Sequence, residues 1–125
     1  MPFTYKIGTG EMFHNDNRIG IGYSGHGDDV NQPAFENVPQ MGPLPEGWYT
    51  IGPMEPLHGK LGKDVLPLMP DADDEMYGRS AFYIHGDNED ANFSASEGCI
   101  VLPHGVRSTI AALVSTGDNR LQVIA

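Results

Sequence analysis

Glycine and proline interrupt this chain at intervals too short for most helices. Sixteen glycines and ten prolines make up 26 of its 125 residues, against an average usage of about 12% for the two together. In a helix interior they cost about 1 and 3 kcal/mol relative to alanine, so the pattern favours short strands joined by tight turns. One stretch escapes the interruption. Val106, Ile110, Leu113 and Val114 fall at i, i+4, i+7 and i+8 and predict a helix ending at Gly117, a suitable C′ residue.

The remainder reads as strands. Phe3, Tyr5 and Ile7 alternate with polar residues, Gly8-Thr9-Gly10 turns the chain, and Met12-Phe13 begins a return strand. Arg18 to Tyr23 alternates again and enters a glycine-rich loop, and residues 31–47 form a proline-rich surface loop. Trp48 to Ile51 is a short strand, with Trp48 assigned to the core. Between Leu57 and Pro70 the breaks at Gly59, Gly62, Pro67 and Pro70 leave one short strand, Val65–Met69. Residues 71–75 read as a solvated acidic turn. Strands at Ser80–Ile84, Cys99–Leu102 and Leu121–Ile124 complete a mainly β chain. The expectation is a single domain over 1–125, a small antiparallel β sandwich or barrel with one short helix near the C-terminus.

A net charge of −10 lacks the basic footprint of a nucleic-acid binder. No stretch approaches the roughly 20 apolar residues of a membrane span. No basic segment followed by an apolar one marks a Sec signal, so the chain is expected to be made in the cytoplasm and exported, if at all, by other means. His26, Asp28, Asp29 and Asp87 are metal-ligand types without a recognised spacing, and neither a metal nor a cofactor is expected.

The chain has one cysteine, Cys99, so no intramolecular disulfide forms. A lone cysteine is either a small buried hydrophobe or, with a suitable histidine, a nucleophile. Two segments bear on the choice: Tyr83-Ile84-His85-Gly86-Asp87 and Ser96-Glu97-Gly98-Cys99-Ile100. Each sets a reactive side chain where an apolar strand meets a glycine. Gly98 lets substrate approach the main chain and leaves the Cys99 amide free to face an oxyanion. A thiol of ordinary pKa about 8.5 is mostly protonated at neutral pH and needs a base or cation beside it. His85 fits that need best, since His14, His26, His58 and His104 lack the strand–glycine setting.

His-Gly, a loop, then Ser-x-Gly-Cys and an aliphatic residue resembles the signature of YkuD-type L,D-transpeptidases. Gly22-Tyr23-Ser24-Gly25, Gly42-Pro43-Leu44-Pro45-Glu46-Gly47-Trp48-Tyr49 and Gly78-Arg79-Ser80-Ala81-Phe82-Tyr83 sharpen it. With the His and Cys segments they are similar to L,D-transpeptidase effectors of type VI secretion systems, from about Tyr5 to Val123. The chain departs from the general pattern in having Glu97 where histidine is usual, and Val101-Leu102 where Arg or Asn often follows the cysteine.

The resemblance implies attack by Cys99 on the third-residue carbonyl of a peptidoglycan tetrapeptide stem, release of the terminal D-alanine, and a thioacyl-enzyme. Water then gives L,D-carboxypeptidase activity and a free D-amino acid gives exchange. It also implies delivery by a secretion apparatus to the periplasm of a target bacterium, and a cognate immunity protein in the producer.

Around Cys99 and His85, Ser96 orients the cysteine loop or is a local turn hydroxyl, and Asp87 tunes His85 or caps a turn. Gly86 and Gly98 support the site. Tyr23 and His58 line the cleft or serve the structure, and Arg79 grips a substrate carboxylate or makes a surface ion pair. Two other classes compete. An NlpC/P60-like hydrolase places Cys before His, the reverse of this order. A non-catalytic wall- or partner-binding module would carry an inert Cys99.

Overall fold

The computed structural model describes residues 2–25, 30–38, 42–58, 62–74, 76–79, 82–86 and 99–125. Ten strands are seen among them: β1 (Phe3–Lys6), β2 (Glu11–His14), β3 (Asn17–Ile21), β4 (Tyr23–Ser24), β5 (Gly47–Ile51), β6 (Glu55–His58), β7 (Gly62–Pro70), β8 (Phe82–His85), β9 (Ile100–Val101) and β10 (Arg120–Ile124). One helix, α1 (His104–Ser115), joins β9 to β10. The strands form one sheet in the order β3-β2-β1-β10-β5-β7-β8-β9-β4, with β6 paired to β7 off that path. Because β3 and β4 stand at opposite ends of the order and follow each other directly in the chain, the sheet nearly closes into a barrel.

Gly22 permits that closure. A Cβ there would lie 1.8 Å from the Val101 carbonyl oxygen, so only glycine lets the chain pass β9 so closely. The Gly22 amide donates instead to the Gly10 carbonyl at 2.8 Å. The alternating segment from Arg18 to Tyr23 is therefore two strands rather than one.

Alternation along the strands fills the interior. Phe3 and Tyr5 from β1, Leu121 and Val123 from β10, Tyr49 and Ile51 from β5, Leu66 and Leu68 from β7, Phe82 and Ile84 from β8 and Ile100 from β9 all join one buried cluster. Ile110 of α1 is buried in the same cluster, with Val106, Leu113 and Val114 packed against it, which accounts for the helical spacing. Gly117 follows the helix at φ +105°. The Tyr5 hydroxyl is buried with no partner among the described residues, and burial pushes its pKa up.

Seven strand pairs are antiparallel. The β1–β10 and β8–β9 pairs are parallel. The expected mainly β barrel with one C-terminal helix is observed, with parallel ladders added at two places. Three local expectations change. The segment before Pro70 is a hairpin, β6 and β7, rather than one strand. Pro67 sits opposite Tyr83 and still accepts the Gly52 amide on its carbonyl at 2.8 Å, so the missing proline N–H does not break the ladder. Trp48 is half-buried outside the core cluster, under the Arg120 guanidinium at 5.4 Å. The acidic turn is partnered as well as solvated. Arg120 holds Asp71 through two bonds of 2.8 and 2.6 Å, and Asp74 accepts the Trp48 amide at 2.7 Å. The hydrogen bond from Arg120 holds the Asp71 carboxyl below its usual pKa.

Candidate active site

His85 ends β8, and Cys99 stands one residue before β9. The parallel register pairs Ile84 with Ile100 and His85 with Val101. Paired residues share a face and neighbours alternate, so Ile84 and Ile100 point into the core. His85 and Val101 take the opposite face, and Cys99, a bend one residue before β9, is buried without joining the core cluster. Tyr23 joins them from β4, where it pairs with Val101. The face thus carries a row Tyr23–Val101–His85, with Tyr83 one step back along β8.

The row Tyr23–Val101–His85 and Cys99 are closed to solvent, while Tyr83 is half-buried. Cys99 is 7% exposed and His85 2%, so the thiol sits where a bare charge is poorly solvated. The His85 ring is oriented by its own neighbour, since Nδ1 lies 2.8 Å from the Gly86 carbonyl oxygen. A carbonyl can only accept, so in the neutral ring Nδ1 carries the proton and Nε2 keeps the lone pair. Nε2 is the basic nitrogen, and it is fully enclosed.

Gly86 serves this site through its carbonyl and its lack of a side chain. A Cβ at Gly86 would lie 2.8 Å from Nη2 of Arg107. That guanidinium is buried, donating from Nε to the Leu102 carbonyl at 3.1 Å and from Nη1 to the Lys63 and Asp64 carbonyls at 2.9 and 2.8 Å. It joins the start of β7, the end of β9 and α1 directly beside the His85–Gly86 peptide. Gly86→Ala is expected to displace Arg107 or the Gly86 carbonyl. It should cost about 1–3 kcal/mol of stability and lower turnover about tenfold or more through the misplaced imidazole. A melting curve and a turnover rate both matching the native protein would show that Arg107 yields without disturbing His85.

Arg79 is half-buried beside the same region. Nη1 donates to the Glu36 carbonyl and, at 2.7 Å, to that of Pro43, while Nη2 donates to Gly42 at 3.0 Å. Desolvation lowers the Arg79 pKa, and attraction to Tyr49, Cys99 and Glu36 opposes that. The Cys99 contribution puts the guanidinium within electrostatic reach of the thiol. Arg79, Phe82, Tyr83, Pro67 and Met69 also line a cleft of about 250 Å³ on the outer side of β7 and β8, and neither Cys99 nor His85 is among its lining residues.

Of the residues singled out in the sequence, Cys99, His85, Tyr23 and Arg79 are brought to this region, with Gly86 beside the imidazole. Ser96, Gly98 and Asp87 lie outside the described residues, as does the side chain of His58, a residue of β6. Two of the other histidines have carboxylate partners, His14 with Asp118 at 3.1 Å and His104 with Asp64 at 2.7 Å. Among the described residues no group of three or more His, Cys, Asp or Glu is arranged to hold a metal. Three of the suspected metal-ligand types, His26, Asp28 and Asp29, also fall outside them. The sequence reading gave no role to Ser24, although it lies in the Gly22-Tyr23-Ser24-Gly25 motif, and did not single out Arg107; both bond to main-chain carbonyls. No helix among the described residues is long and apolar enough to cross a membrane.

Comparison with protein-family models gives a match to the Tlde1 domain over residues 19–124. Comparison with curated proteins gives no match.

Proposed function

Because the chain belongs to the Tlde1 domain family, type VI secretion effectors with L,D-transpeptidase-type activity toward peptidoglycan, we propose that it trims tetrapeptide stems with Cys99 as nucleophile and His85 as base. What supports this reading is the parallel β8–β9 pairing, which sets the residue before β9, Cys99, next to the strand that ends in His85, together with the Gly86 carbonyl that favours the proton on Nδ1.

In the proposed reaction Nε2 of His85 removes the Sγ proton, and Sγ attacks the carbonyl carbon of the third stem residue. The oxyanion of the tetrahedral intermediate accepts the Cys99 amide N–H, with Gly98 and Ser96 shaping the loop and Asp87 supporting His85. The C–N bond then breaks as the imidazolium returns its proton to the departing amine of D-alanine, leaving a thioester. Water attacking the thioester releases a tripeptide stem and the free thiol. The amine of a free D-amino acid gives exchange instead. Arg79 favours the thiolate, and the cleft between Pro67, Met69 and Tyr83 accepts the stem, with Tyr23 and His58 as further lining.

The proposed setting is one catalytic domain, delivered by a secretion apparatus and active in the periplasm of a target cell. An immunity protein that covers the approach to Cys99 would protect the producer, and a charge of −10 would steer a basic partner toward it. Muropeptide mass spectrometry after incubation with tetrapeptide-rich sacculi tests the chemistry. The expected result is conversion to tripeptides with release of D-alanine. Unchanged stems, with or without added D-amino acids, would count against it.

A further inference from the structure

Ser24 is fully buried, and its hydroxyl bonds to two segments at once. Oγ lies 2.7 Å from the Leu44 amide nitrogen and 2.7 Å from the Cys99 carbonyl oxygen. A hydroxyl has one proton. The Leu44 amide must donate to Oγ, so the hydroxyl proton goes to the Cys99 carbonyl. The Ser24 amide in turn donates to Oδ1 of Asn31 at 3.1 Å.

These bonds meet the chain where it needs holding. Cys99 precedes β9 by one residue, so the nucleophile stands at the margin of the ladder. Ser24 pairs with Ile100 on the core side of the sheet, and from there it holds the peptide that follows the thiol-bearing residue. Its other contact, Leu44, is itself buried and lies between Pro43 and Pro45. The carbonyls of Gly42 and Pro43 are held by Arg79. A continuous set of hydrogen bonds therefore runs from Arg79 through residues 42–44 and Ser24 to the main chain of Cys99.

We propose that Ser24 is a positioning residue for Cys99, fixing the peptide after the nucleophile and thereby the direction of Sγ and of the Cys99 amide. The proposal rests on the reading of Cys99 as the reactive thiol. Buried alignment of this kind matters because a displacement near 1 Å can lower turnover about 10²-fold. The hydroxyl is required because both of its neighbours are main-chain groups of opposite polarity, which only a group that donates and accepts can join.

The test compares Ser24→Ala, Ser24→Gly and Ser24→Thr in two assays. One is tetrapeptide turnover. The other is alkylation of the protein's single cysteine by iodoacetamide at neutral pH, which needs no stem substrate. Ser24→Ala is expected to lower kcat about 10–100-fold, to change KM less than about twofold, and to slow alkylation severalfold. Ser24→Thr keeps the hydroxyl and should recover most of both rates. Ser24→Gly leaves room for a water between the Leu44 amide and the Cys99 carbonyl and should fall between. Native kcat and native alkylation in Ser24→Ala would overturn the proposal. So would a Ser24→Thr variant as impaired as Ser24→Ala, or failure of both small variants to fold, which would make Ser24 a folding residue. If the native protein itself trims no stems, the proposed function fails separately, and the alkylation series still decides the role of Ser24.

Discussion

Cys99→Ala is expected to reduce conversion of tetrapeptide to tripeptide stems by at least about 10³-fold, to background, while the protein melts within a few degrees of the native form. The size of the effect follows from the chemistry. Without Sγ no thioester forms, and what survives is the contribution of substrate binding and oxyanion donors to direct attack by water. The small structural cost follows from the site. Alanine differs from cysteine by one sulfur atom, the position is 7% exposed, and the main-chain carbonyl held by Ser24 is untouched. Muropeptide mass spectrometry and a thermal melt on the same preparation check both halves. Native trimming by the alanine variant would remove Cys99 from the mechanism and favour an inert binding module. A misfolded variant would instead show that the sulfur packs into the structure more tightly than its surroundings indicate.

The elements that the sequence announces are those whose cues are local. The helix of residues 104–115 follows from four apolar residues at helical spacing and a glycine just beyond, and all four take part in the core or pack against it. The first hairpin follows from alternation on either side of Gly8-Thr9-Gly10. Strand direction is a different matter. Phe3 pairs with Leu121 across the length of the chain, and no local pattern encodes such a partner. The parallel β8–β9 pair has one physical cue, since parallel neighbours need a crossover of a dozen or more residues and the interval from His85 to Ile100 supplies it. The β6–β7 hairpin is hidden because Pro56 falls within β6 and β7 begins at Gly62, while Pro67 is tolerated because only its carbonyl is used there. The same distinction separates the candidate site residues. His85 and Cys99 stand out in the sequence because a reactive side chain beside a glycine at a strand end has few structural uses. Ser24 and Arg107 act on carbonyls contributed by distant segments, and a carbonyl is common to every residue.

Replacing His85 with asparagine separates the base from the structural role of the ring. The side-chain amide of the asparagine can still donate a hydrogen bond to the Gly86 carbonyl, as Nδ1 of the imidazole does now at 2.8 Å, but it has no basic nitrogen to take the thiol proton. His85→Asn is therefore expected to lower turnover about 10²–10⁴-fold with a modest change in melting temperature. Alkylation of Cys99 at neutral pH should slow as well, because an ordinary thiol of pKa about 8.5 is only a few per cent ionised there and burial disfavours the thiolate further. Arg79 keeps its charge in this variant and continues to attract the thiolate, so alkylation should fall less than turnover does. That inequality is the informative result. In the proposed reaction His85 acts twice, first removing the Cys99 thiol proton and then delivering one to the departing amine, whereas alkylation by iodoacetamide uses only the first step. Equal losses in the two assays would confine His85 to activating the thiol. Native turnover would assign proton transfer to another group.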